Sequence, residues 1–142
     1  MKRLACGTHL ILDGFGLEAE ALADTELLLG SAKRLAAEWS LQGGRELLLS
    51  EDTGSSVALL ARRGHVLLHA YVDEGVLVAD VFGHGEGDPL SLGATLKDSF
   101  DFGRIELRVT RRGRSFPESP DLLPRAVAGD RAYAYARLLR LP

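Results

Sequence analysis

The sequence predicts an α+β protein, a two-layer α/β sandwich with a mostly antiparallel sheet and two helices on one face. Three observations predict it. Six segments have the length and apolar patterning of strands. Four of these follow one another with only short breaks, as antiparallel hairpin strands do. Two other segments repeat apolar residues at helical spacing, each behind an aspartate that can cap a helix. The predicted order is β-α-β-β-β-β-α-β, with no repeat and no linker.

The first strand is "GTHLILDGF", Gly7–Phe15. Asp24 or Thr25 then caps a helix with Glu26 in its first turn, where an acid is favoured. Leu28, Ala32, Leu35 and Trp39 form its apolar stripe. Gly30 lies inside this helix at a cost of about 1 kcal/mol relative to alanine, so it is expected to mark close packing. Gln42–Gly44 is expected to end the helix. "RELLLS" and "SSVALLAR" are strands on either side of a loop at "EDTGS". "HVLLHAYV" and "VLVADVF" flank the turn signal "DEG". Asp88 caps the second helix, with Pro89 at its first position and Leu92, Leu96 and Phe100 as its buried stripe. "RIELRVT" is the last strand.

Beyond Arg112, the residues Gly113, Pro117, Pro120 and Pro124 break any regular pattern. Residues 1–112 are therefore read as the domain, and 113–142 as an irregular basic extension packed on it. "DRAYAYARLLRL" fits a helix or an edge strand equally well.

At 142 residues, 46% of them hydrophobic and 26% charged, the chain has the composition of one soluble domain with a real core. No apolar run approaches the roughly 20 residues that span a bilayer, so no membrane association is expected. "MKRLACG" lacks the apolar core of a secretory signal. Cys6 is the single cysteine, which excludes an internal disulfide and points to the cytoplasm. Net charge is −3, yet Arg104–Pro142 carries nine arginines against four acids. A solvated arginine-rich face is the simpler reading, because no basic segment interleaves with exposed aromatics as in a nucleic-acid groove. No nucleic-acid partner is expected.

Function points to "ARRGHVLLHAYVDEGVLVADVFGHG", Ala61–Gly85, which holds three of the four histidines. Strand periodicity puts His65, Leu67 and His69 on one face. His84 lies just past the neighbouring strand, where it is expected to approach His69. "GHGEG" has glycines ahead of a capped helix, a weak signal for anion binding.

These stretches resemble the prokaryotic type of S-adenosylmethionine decarboxylase, the pyruvoyl enzyme of spermidine synthesis. The resemblance begins at "GTHLILD", runs through "LADTELL", is strongest from Ser56 to Gly85 and fades after Gly113. It implies a serine, preceded by a glutamate, that cleaves its own chain and becomes the pyruvoyl cofactor, with a cysteine on the next strand returning a proton. Here the glutamate position is Arg63, the serine position is Gly64 and the cysteine position is His84. No residue from Val57 to Leu90 is Ser, Thr or Cys. The acyl shift needs a hydroxyl or thiol at the cleaved bond, so the pyruvoyl group is expected to be absent.

The resemblance further places His69 on the processing histidine, Ser56 on a serine near the processing site and Asp73 on a ribose-binding glutamate. Asp73, His65 and His69 are thus the candidate ligand-binding residues, and Gly64, His69, His84 and Ser56 the family-site positions. The aromatic platform expected before Ser56 is missing, since no aromatic occurs between Trp39 and Tyr71. Arg62 and Arg63 would repel a cationic sulfonium ligand if they pointed inward.

The resulting expectation is a decarboxylase-like pseudoenzyme or regulatory partner in polyamine synthesis. It would act as a homodimer, or as a heterodimer with an active paralogue, and a small-molecule ligand is a further candidate partner. The alternatives are a histidine- or metal-based enzyme and a nucleoside- or polyamine-binding module. For the metal, His65 or His69 would join His84 and Asp80 or Asp73. Otherwise the histidines are structural, and His9 is expected to be a packing residue.

Overall fold

The structure is a computed structural model that describes residues 7–41, 43–84, 88–112 and 123–138. The chain divides into two compact units, one Gly7–Thr110 and the other containing the segment from Arg111 onward. The first unit carries every candidate site residue.

Its sheet comprises β1 (Gly7–Phe15), β2 (Arg45–Glu51), β3 (Gly54–Ala61), β4 (Gly64–Tyr71), β5 (Val76–Gly83) and β6 (Arg104–Arg112), in the order β2-β3-β4-β5-β1-β6. The ladders β2–β3, β3–β4, β4–β5 and β5–β1 are all antiparallel. β6 starts beside the end of β1, where Gly103 N donates to Phe15 O at 2.9 Å. The first strand therefore lies deep in the sheet, between β5 and β6. The expected α+β sandwich is the architecture observed.

Helices α1 (Ala19–Ala23), α2 (Thr25–Glu38), α3 (Pro89–Ser99) and α4 (Leu123–Leu138) complete the described elements. The sequence predicts two of them. α1 is a single short turn-and-a-half that periodicity does not resolve. α4 turns "DRAYAYAR" helical, so residues 123–138 are not irregular as expected. Residues 113–122 and 139–142 lie outside the described residues.

Asp24 caps α2 by accepting from Leu27 N at 3.0 Å, and Asp88 caps α3 by accepting from Leu90 N at 3.0 Å. Each satisfies a backbone donor that the first helical turn leaves open. α2 stops at Glu38 rather than at Gln42–Gly44, because Ser40 enters the left-handed region at φ 52°. Gly30 is exposed, and a Cβ there meets nothing within 4 Å, so the expected close packing is absent.

Leu28, Ala32, Leu35 and Trp39 of α2 and its C-cap, with Leu92, Leu96 and Phe100 at α3, are buried as the stripes predict. They cover Leu10 and Leu12 of β1, Val57 and Leu59 of β3, Val66 and Leu68 of β4, and Leu77, Ala79 and Val81 of β5. Thr95 Oγ1 donates to Glu38 and Arg34 donates to Ser99 Oγ, which ties α3 to α2. The core thus fills one side of the sheet and leaves the opposite side half-buried.

Candidate functional site

The uncovered sheet face carries the polar side chains. Alternation along each strand sends His9 and Ile11 of β1, Ser56 of β3, His65, Leu67 and His69 of β4, and Val78, Asp80 and Phe82 of β5 to this face. His65, Leu67 and His69 share it, as the sequence predicts.

Two polar groupings form here. Ser56 and His69 sit directly opposite each other in the β3–β4 register, with Ser56 Oγ 2.8 Å from His69 Nδ1. The second grouping spans three strands. His9 and His65 flank Phe82 in one cross-strand row, and Asp80 lies two residues along β5 on the same face. His65 Nε2 is 2.8 Å from Asp80 Oδ1, and His9 Nε2 is 2.8 Å from Asp80 Oδ2. The His9 contact is short, yet its geometry gives the buried Nε2 no aligned hydrogen bond. Phe82 sits edge-on to His9 at 6.2 Å and tilted to His65 at 5.9 Å, limiting how far either imidazole can rotate.

Asp80 is paired across the ladders with Ile11 and Leu67. Partial burial of its carboxylate pushes its pKa up, but its close polar contacts with His65 and His9 and their charge outweigh this and hold it below the ordinary 3.8.

The structure corrects several sequence expectations. His84 does not come near His69: it follows Gly83, which pairs with Gly64, whereas His69 pairs with Val78. The offset is six residues of strand, about 20 Å, so a metal site joining His69 with His84 is not formed. His9 is not merely a packing residue, because it shares Asp80 with His65. Asp73 is exposed in the β4–β5 turn, distant along the strand from Gly64. Arg62 and Arg63 are exposed at the β3–β4 turn, so their charges are solvated. Gly85–Gly87 of "GHGEG" lies outside the described residues.

Gly64 is not a left-handed turn residue, since Gly16, Gly43 and Gly75 are the described glycines with positive φ. Its requirement is space. A Cβ built on Gly64 collides with the Phe82 carbonyl oxygen and comes within 2.9 Å of Leu41 Cδ2 and 3.0 Å of Gly83 Cα. Its partner Gly83 is equally confined, because a Cβ there would meet Trp39 Cε3 at 2.5 Å. The segment that ends α2, Trp39 and Leu41, therefore closes on the end of the β4–β5 hairpin.

The family profile of S-adenosylmethionine decarboxylase matches residues 8–113. The chain belongs to this family. The S-adenosylmethionine decarboxylase proenzymes of Clostridium botulinum strains Hall and Langeland are each 26% identical to it over 110 residues, 76% of this chain and 95% of theirs. The crystal structure of adenosylmethionine decarboxylase from Aquifex aeolicus VF5 shares the fold, with a TM-score of 0.69 at 18% identity, covering 84% of this chain and 98% of that one.

The family implies a pyruvoyl group, and the residues present do not fit it. Gly64, which the resemblance places at the serine position, has no hydroxyl, and no Cβ enters the space there as it stands. His69 and Ser56, by contrast, are hydrogen-bonded to each other.

The His9–Asp80–His65 grouping escapes sequence reasoning. The parity of "GTHLILD" and "VLVADVF" assigns each residue a face, but spacing does not say that β1 inserts beside β5. Only that non-sequential neighbour relation brings His9 to Asp80.

Proposed function

We propose that this chain is a non-processing member of the decarboxylase family. In this reading it keeps the fold and part of the polar face but makes no pyruvoyl group, and it acts in polyamine synthesis as a regulatory or scaffolding partner. The single observation that carries this reading is the closure around Gly64. A missing hydroxyl alone could be regained by one substitution. A missing Cβ site requires Phe82, Leu41 and Gly83 to move together. The proposal extends to a cytoplasmic location. Among the described residues no helix is long and apolar enough to cross a membrane.

The half-buried face with Ile11, Leu67 and Val78 between its polar residues is the surface for a second chain. The partner is a further copy or an active paralogue, whose site a dead subunit can complete or restrain.

Intact-mass measurement of the purified full chain tests the first part. One species near 15.3 kDa is the expected result. Two fragments, or release of CO2 from S-adenosylmethionine that hydrazine abolishes, would overturn it. Co-expression with the active paralogue tests the second part. A mixed oligomer with an altered decarboxylation rate is expected, and separate homodimers with an unchanged rate count against it.

A further inference from the structure

We propose that His9, His65 and Asp80 form a binding site for a divalent transition-metal ion of the zinc type. The site includes neither the Ser56–His69 pair nor Gly64, although His65 directly follows Gly64, and it does not require that the chain process itself.

The argument begins with placement. The three side chains come from three hydrogen-bonded strands, β1, β5 and β4, and leave the same face of the sheet. Strand positions are fixed by ladder bonds on both sides, so the donors are held more firmly than in a loop. One ligand atom from each residue lies within 4.8 Å of the other two. Zinc bonds to imidazole nitrogen and carboxylate oxygen at about 2.0–2.2 Å, which puts neighbouring ligand atoms of a tetrahedron about 3.3 Å apart. The 2.8 Å contacts of His9 and His65 run to different oxygens of Asp80, so the carboxylate would turn one oxygen toward the ion and the contacts would open toward about 3.3 Å. Small side-chain rotations supply that without moving the strands.

A second observation points to a ligand. His9 Nε2 is buried and lacks an aligned hydrogen bond, although it faces a carboxylate. Its one printed contact is the 2.8 Å approach to Asp80 Oδ2, and the poor alignment of that contact leaves the ring nitrogen open to a better-placed partner. An ion between His9, His65 and Asp80 is a partner that both imidazoles and the carboxylate share. An aspartate is ionised at neutral pH, which suits this role.

The donor chemistry selects the ion. Two imidazoles and one carboxylate favour zinc and its transition-metal neighbours over magnesium or calcium, which take mostly oxygen ligands. Three protein ligands also leave a fourth position for water or an anionic ligand, as in sites that are not purely structural. Phe82 borders the position on the sheet side and would keep both rings turned toward Asp80.

The test uses the full chain, stripped with a chelator and titrated with zinc against a chromophoric competitor. One zinc per chain is expected. His9→Ala and Asp80→Asn are each expected to weaken it by 100-fold or more, while His69→Ala leaves it unchanged. Cobalt in place of zinc is expected to give visible d–d absorption that Asp80→Asn removes. Should His9→Ala fail to fold by circular dichroism, His65→Gln, which keeps the side chain's bulk, is expected to show the same loss. No zinc bound by the unaltered chain, or equal binding by the variants, overturns the site.

Discussion

The two ends of the polar region on β4 differ in what they can hold. At Gly64 the hairpin end is filled by backbone and by Leu41, with Trp39 against the facing Gly83, so no side chain fits as the structure stands. From His65 to His69 the same strand presents histidines that each keep a hydrogen-bonding partner, Asp80 and Ser56. The closed end and the polar row are adjacent: His65 directly follows Gly64. The difference teaches that the core side and the open side of one strand answer to separate constraints. Repacking from α2 can close the hairpin end, while the cross-strand register that holds the polar row stays in place.

Gly64→Ser breaks this comparison most directly. If only the hydroxyl were missing, the variant would fold normally and begin to cleave itself. Closure predicts the opposite. The added Cβ meets a backbone carbonyl, which cannot swing aside as a side-chain tip can. Overpacking of this kind costs about 1–3 kcal/mol. A lower urea midpoint with an unchanged mass near 15.3 kDa is therefore expected. Normal stability together with two fragments would refute the closure.

The fold was largely legible because its signals are local. Asp24 and Asp88 announce their helices through capping chemistry, and the stripes through Trp39 and Phe100 follow from spacing alone. The candidate site was legible only within one hairpin. His65, Leu67 and His69 share a face by parity, but the link from His65 to His9 passes through the insertion of β1 beside β5. The predicted His69–His84 approach failed for a related reason: it placed the two residues on adjacent strands without fixing their register. The filling of the Gly64 end was invisible too, since nothing in the sequence says that Leu41 reaches back to β4.

The open side can be sharpened through pH, using chelator-treated protein. His9 and His65 are the titratable groups that face Asp80 on this grouping, and they hold its folded pKa below 3.8. A carboxylate with a lowered folded pKa contributes stability that is full above its unfolded value and is lost as pH falls through the folded one. Asp80→Asn removes that contribution. The variant is expected to be less stable at neutral pH, by on the order of 1 kcal/mol for so exposed a grouping. The gap should shrink below about pH 4. Urea midpoints of both proteins across that range measure it, and a gap independent of pH would show that Asp80 gains nothing from the two histidines.

Gly30→Ala carries the smallest effect and supplies the control on Gly64. Both positions are glycines in regular elements, so both carry the extra chain entropy that a glycine loses on folding. They differ in room. Gly64 is hemmed in by Phe82, Leu41 and Gly83, whereas a Cβ on Gly30 points from an exposed position of α2 into open space. With nothing to displace, alanine should keep only the gain in helix propensity and reduced unfolded-state freedom, about 0.5–1 kcal/mol of added stability. The expected result is a higher urea midpoint with an unchanged denaturant slope. If Gly30→Ala instead destabilised the chain as Gly64→Ser does, loss of glycine itself, and not occupied space, would govern both positions.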